Sequence, residues 1–250
     1  MTKMIKMDLY RFFRSTSTWV ILFVDAIIAF LMVMLVHTTI SNTTISVITY
    51  SNAGELLAAN INSGVPMALC SVAVFIFVSA KYRNGFIKNI ANQLPRRELL
   101  VISEIIVSFA ACALNFFMFS ICTIAAGAVF FGNAFVTFSF PDIIKLLTVQ
   151  YILHCGFCCL LLLFYMLTNS TSFSIAAGLL SAFKILNIFY ALVERFTGFN
   201  IAQYMLDSNI FLLGMASAKP IYTRATAVGL LFLSVEIVLL CMVMRKKDIR

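Results

Sequence analysis

The chain has 250 residues, of which 62% are hydrophobic and 11% charged, and it carries a net charge of +8. Soluble domains run near 25% charged residues, so this chain cannot cover a globular surface with ions, while its 25 Phe demand burial and exclude disorder. What remains is a polytopic membrane protein with no room for a separate soluble domain of ordinary size.

In chain order, the first feature is an amphipathic stretch at Met4–Arg14, within an interfacial segment over residues 1–16. Ile5, Leu9, Phe12 and Phe13 fall on one face, and Lys3, Lys6, Tyr10, Arg11 and Arg14 on the other. Such a helix lies in the membrane interface, either as a simple topology anchor or as a contact for a partner.

Apolar runs then follow at Trp19–Val36, Val65–Ala80, Val101–Phe131, Ile143–Thr168, Phe173–Val193 and Ala225–Met244, which predict six spans in an all-α fold. The first run is too long for a signal peptide and lacks a small-residue cleavage site. The third, at 31 residues, would be about 46 Å long as a helix against about 30 Å of hydrocarbon. It has to tilt, emerge or break, and Gly127 and Gly132 are places for a break.

The connections carry the orientation. Lys3, Lys6, Arg11 and Arg14 precede the first span. Lys81, Arg83, Lys88, Arg96 and Arg97 lie between the second and third, and Arg245, Lys246, Lys247 and Arg250 follow the sixth. The outer segments hold only Lys145, Arg195, Lys219 and Arg224, so both termini are expected in the cytoplasm. The first outer segment, His37 to Gly64, reads as a polar, nearly uncharged loop. Asn169-Ser170-Thr171-Ser172 reads as a bare turn. The last outer segment, 194–223, is half apolar but broken by Gly198, Asp207 and Gly214, which suggests an interfacial or re-entrant helix pair.

Within the loop at 81–97, Phe86, Ile87, Ile90 and Leu94 share one arc of a helix that Pro95 ends. Such a short amphipathic helix suits docking into a groove of a soluble partner. The run Lys81-Tyr82-Arg83-Asn84-Gly85-Phe86-Ile87-Lys88-Asn89-Ile90, then Pro95-Arg96-Arg97 and a long apolar span, resembles the permease family of type-2 ABC exporters. Their pattern there reads Gly-Thr-Ile-Lys-Asn after an aromatic and a polar residue; Phe86 stands where Thr is common and makes the face bulkier. The start, Lys6-Met7-Asp8-Leu9-Tyr10-Arg11-Phe12-Phe13-Arg14-Ser15, is similar to the family's segment before its first span.

The resemblance implies a half-transporter in a bacterial cytoplasmic membrane. Two permease chains, a homodimer or a pair with a related permease, would each receive one copy of an ABC ATPase subunit. Arg83, Asn84, Gly85, Phe86, Ile87, Lys88, Asn89 and Ile90 would then lie in or beside the coupling helix, and residues 1–16 would form the interface helix. Small members of the family carry hydrophobic or amphipathic peptides such as lantibiotics and toxins. The chain has no phosphate-binding loop of the Gly-x-x-x-x-Gly-Lys-Ser/Thr type, so no enzymatic activity of its own is expected, and ATP and Mg would be bound by the partner. No nucleic-acid partner is expected, because the basic excess reads as topology.

Three charges lie deep in apolar runs: Asp25, Lys184 and Glu236. An unpaired charge there costs about 2.5–3.5 kcal/mol on insertion scales. Lys184 is therefore expected to pair with Asp25 or Glu236, within the chain or across a dimer, either as a polar lining of the path or as a structural pair. A proton-coupled secondary transporter using these carboxylates is the competing reading. Glu104, near the inner end of its span, is expected to face water or Arg96 and Arg97. Ser174, Gly178 and Ala182 form a small-residue ridge on the fifth span that permits close helix approach, and the resemblance places it at the dimer seam. His154, Cys155, Cys158 and Cys159 share a helix face but sit among Leu and Phe, so no metal site is expected and the cysteines read as small core residues.

Overall fold

The computed structural model describes residues 2–42, 50–83, 98–132, 135, 139–215 and 217–246. Among these residues all regular structure is helical: α1 (Thr2–Arg14), α2 (Thr16–Asn42), α3 (Ala53–Ile61), α4 (Val65–Arg83), α5 (Glu98–Phe131), α6 (Phe140–Thr168), α7 (Thr171–Ala182), α8 (Leu186–Thr197), α9 (Leu206–Leu212) and α10 (Lys219–Lys246). A 3-10 turn at Ala202–Tyr204 separates α8 from α9.

Five helices (α2, α4, α5, α6 and α10) are long and apolar enough to cross a membrane. The pair α7 and α8 reaches that length only when joined, and it is bent by 65°. The distribution of side chains is that of a membrane protein. α2 exposes Trp19, Phe23, Phe30 and Leu35, and α10 exposes Leu231, Val235, Val238 and Met242. Such apolar surfaces belong against lipid, not water. The core sits around α6, the most buried of the spans, which packs against α10, α5, α7 and α4. Its buried side chains include Leu146, Leu153, Phe157, Leu161 and Met166.

Four expectations change. The third run is one 34-residue helix, α5, with no break at Gly127. Gly132, at φ 83°, stands just after its end. The first outer segment is not a bare loop: α2 runs on to Asn42, and α3 buries Leu56, Leu57 and Ile61 completely. Asn52 caps α3 by accepting the Glu55 N–H at 3.0 Å. Such a short apolar helix, flanked by Ser, Thr and Asn, is hidden by composition.

The fifth run, read as one span over Phe173–Val193, is broken at Phe183–Ile185, where Lys184 takes φ 60°. The ridge of Ser174, Gly178 and Ala182 is buried within the chain instead of lying open for a partner. A Cβ placed on Gly178 would lie 2.8 Å from Ser71 Oγ on α4 and 3.1 Å from Leu161 on α6. The ridge thus serves the close approach that its spacing permits, but against its own α4 and α6. Before α7, the turn is only Asn169, in the left-handed region, and Ser170, whose hydroxyl accepts the Phe173 N–H at 3.2 Å.

Gly64 fixes the start of α4. It adopts φ 86°, and a Cβ there would lie 2.1 Å from the Ala182 carbonyl oxygen. Both the conformation and the contact require glycine. Gly64→Ala is expected to destabilise the protein by at least about 2 kcal/mol. Gly198→Ala, at φ 68° with nothing within 4 Å, should cost about 1 kcal/mol. Thermal unfolding in detergent, read by a thiol-reactive dye on the buried cysteines, ranks the two.

Candidate functional site

α1 is amphipathic, but its buried face differs from the expected one. Met4, Asp8 and Phe12 are buried, Ile5 and Leu9 are half-buried, and Phe13 is 46% exposed. Met4, Asp8 and Phe12 follow a four-residue spacing and form a single stripe. The unexpected member is a carboxylate. The Asp8 side chain is fully buried, and its Oδ2 accepts hydrogen bonds from Lys81 Nζ at 2.8 Å and Ser103 Oγ at 2.7 Å. Arg11 Nη1 lies 3.9 Å from Oδ1.

Lys81 reads in sequence as one of the loop cations. Its side chain is instead wholly buried, with Nζ also 3.3 Å from Glu104 Oε1. Glu104 therefore does not face water: it is 1% exposed, and the Tyr82 hydroxyl reaches its Oε2 at 3.4 Å. Tyr82 also packs edge-on against Tyr165, with ring centroids 5.1 Å apart. The arrangement joins the last turn of α4, the first turns of α5, the end of α6 and α1. Asp8, Arg11, Lys81 and Glu104 sum to zero formal charge, and that neutrality makes burial tolerable. This end of the bundle is its base. A bidentate contact between Arg245 and Glu98, at 2.6 and 3.1 Å, ties α10 to the start of α5 there.

The other predicted charges are not brought together. The Lys184 ammonium lies 4.6 Å from the Phe211 ring centroid, and the residue is exposed at the break between α7 and α8. Asp25 and Glu236 are 1% and 3% exposed, and none of their carboxyl oxygens has a hydrogen-bond partner among the described residues. The expected in-chain pair does not form, because the break swings Lys184 out to the α9 side. Arg83 ends α4. Asn84, Gly85, Phe86, Ile87, Lys88, Asn89, Ile90 and Leu94 lie outside the described residues.

Polar contacts hold the opposite end. Gln150 Nε2 donates to Asn62 Oδ1 at 3.2 Å and to the Ile210 carbonyl at 2.9 Å. Asn62 donates to the Leu213 carbonyl at 2.8 Å, and the Tyr222 hydroxyl to that of Gly214 at 2.9 Å. The 194–223 stretch is thus partly the end of α8, then the 3-10 turn, α9 and the start of α10, with α9 seated on α6. Burial raises the Asp207 carboxyl on α9 above its ordinary value, opposed by hydrogen bonds from the backbone and from the Tyr190 hydroxyl at 3.1 Å.

His154 is buried, with Nδ1 2.8 Å from the Gln150 carbonyl and its ring against Phe116. Cys70 and Cys112 approach to 3.9 Å between sulfurs. No group of three or more His, Cys, Asp or Glu side chains is disposed to hold a metal among the described residues. Comparison of the chain with models of known families and with curated proteins finds no match.

The Asp8–Lys81–Glu104 joint is hard to read from sequence, because Asp8 and Lys81 stand 73 residues apart. One signal was available: Asp8 is the only acid in an otherwise basic segment, at the register of Met4 and Phe12. Lys81→Met should destabilise the protein by about 3–5 kcal/mol, because it strands two buried carboxylates. Lys81→Met combined with Asp8→Asn and Glu104→Gln should recover a large part of that loss. Melting temperatures of the single and triple variants check both.

Proposed function

We propose that the chain is the permease subunit of a type-2 ABC exporter, which moves hydrophobic or amphipathic peptides out of the cell with energy from a separate ATPase. The observation that carries the reading is the position of the buried joint. Lys81 stands two residues before the segment 83–90 that resembles a coupling helix, and Ser103 and Glu104 stand shortly after the start of α5. Asp8 fastens the interfacial helix to the same point.

The physics follows from stiffness. A force applied to the loop by a closing ATPase would reach α4 and α5 together. Breaking the joint would strand charge in a low-dielectric interior, so α1 moves with both helices and does not slide past them. Displacement at the base then becomes a tilt of the spans, and in a pair of permeases such tilts would open a path between the chains. The break between α7 and α8 departs from the continuous fifth span expected over Phe173–Val193, while α9 and the 3-10 turn fall within the 194–223 segment expected to be re-entrant.

The two unpartnered carboxyls favour a second reading, a proton-coupled transporter using Asp25 and Glu236. The two readings differ in their partner. Isolation of the tagged chain in mild detergent should bring down a stoichiometric subunit with a phosphate-binding loop. Phe86→Asp or Ile87→Asp should leave insertion intact and abolish peptide export and its stimulation of ATP hydrolysis. Unchanged export by these variants overturns the coupling assignment. Transport that collapses with the proton gradient, and with Asp25→Asn or Glu236→Gln, selects the second reading.

A further inference from the structure

The corner where α1 turns into α2 encloses a cleft beside the ion-paired joint, and Arg11 lies between the two. The cavity measures about 370 Å³ and lies between that corner, α4 and α5. Its volume falls within the range of about 300–1,000 Å³ typical of sites for small amphiphiles and other ligands. Ile21, Leu22, Ala73, Phe77 and Leu114 make its walls apolar. Arg11, Arg14, Ser15 and Ser17 make the α1–α2 side cationic and polar. Arg14 is exposed and donates to the Tyr10 hydroxyl, which also lines the cleft.

One wall carries a buried polar group that the protein leaves half satisfied. Asn115 is 5% exposed and lines the cavity. Its Nδ2 donates to the Ala111 carbonyl at 2.8 Å, while its Oδ1 has no partner among the described residues. A buried carbonyl oxygen without a donor is costly, so the site asks for a ligand that brings one.

These features describe an amphiphile with three parts: an anionic group for Arg14, a hydroxyl donor for Asn115 and an acyl chain for the apolar walls. We propose that the cleft binds an anionic phospholipid whose headgroup bears hydroxyls, of the phosphatidylglycerol class. A zwitterionic lipid lacks the net charge, and phosphatidic acid has only the acidic hydroxyl of its phosphate, with no alcohol hydroxyl beyond the phosphate to extend to Asn115. A cationic amphipathic peptide would meet like charge at Arg11 and Arg14. The inference requires a membrane-embedded chain and does not depend on the exporter reading.

The test reconstitutes the full chain into phosphatidylcholine bilayers doped with either phosphatidylglycerol or phosphatidic acid, and counts retained lipids by native mass spectrometry. Phosphatidylglycerol should be retained in preference to both other lipids. Arg14→Gln should weaken that retention about fivefold, the loss expected for one arginine near an anionic headgroup. Asn115→Leu should lower phosphatidylglycerol to the level of phosphatidic acid and leave phosphatidic acid unchanged. Melting curves of both variants show that the fold persists. Equal retention of phosphatidylcholine and phosphatidylglycerol overturns the proposal. So does an Arg14→Gln variant that retains lipid like the native chain, or a bound peptide in place of lipid.

Discussion

A lysine without solvent contact organises the base of this molecule. Lys81 sits between Asp8 and Glu104, and it is the buried cation among the described residues, set against two of the five buried carboxyls. Removing an ammonium and two carboxylates from water costs several kcal/mol per ion even after relaxation, and only close pairing offsets it. The cluster therefore tolerates little change in geometry. It fixes the register of α4 on α5, the roll of α1 about its axis, and the placement of Tyr82 beside Tyr165. Helix packing in a bilayer lacks the hydrophobic drive available in water, so close packing and specific polar contacts select which helix faces meet.

The two ends of the bundle are held by different chemistry. The base depends on ionised groups with defined partners. The opposite end depends on neutral amides and carbonyls, with Gln150 and Asn62 reaching backbone acceptors in the segment around α9. Neutral hydrogen bonds to irregular backbone satisfy the polar groups that short, broken elements would otherwise leave bare. Between the ends, close packing of small residues sets the distances, as at Gly178 against Ser71 and Gly64 against Ala182.

How much of this was legible in the sequence follows from the range of each interaction. The long apolar runs announced α2, α4, α5, α6 and α10, because spanning length is a local property. The amphipathic nature of α1 was equally local. What the sequence hid was long-range. Asp8 and Lys81 are separated by 73 residues, and nothing in either neighbourhood identifies the other. Ser174, Gly178 and Ala182 declared close approach but not the neighbour, since a ridge of small residues fits any helix. The break at Lys184 was masked by the continuous apolar run around it. α3 was masked for the opposite reason, because nine residues embedded in Ser, Thr and Asn give a weak periodic signal.

The joint at the base also orders the assembly of the protein in time. Asp8 emerges from the ribosome first, Lys81 only after two apolar helices, and Ser103 and Glu104 later still. Until the start of α5 is made, Asp8 lacks Ser103, and Lys81 lacks its second carboxylate. Asp8 must therefore keep its hydration until α4 and α5 are in place, and the docking of α1 comes after theirs. That docking requires that α4 and α5 have met in the register that places Lys81 beside Ser103 and Glu104. A register error between α4 and α5 would part Lys81 from Glu104 and leave two charges without partners.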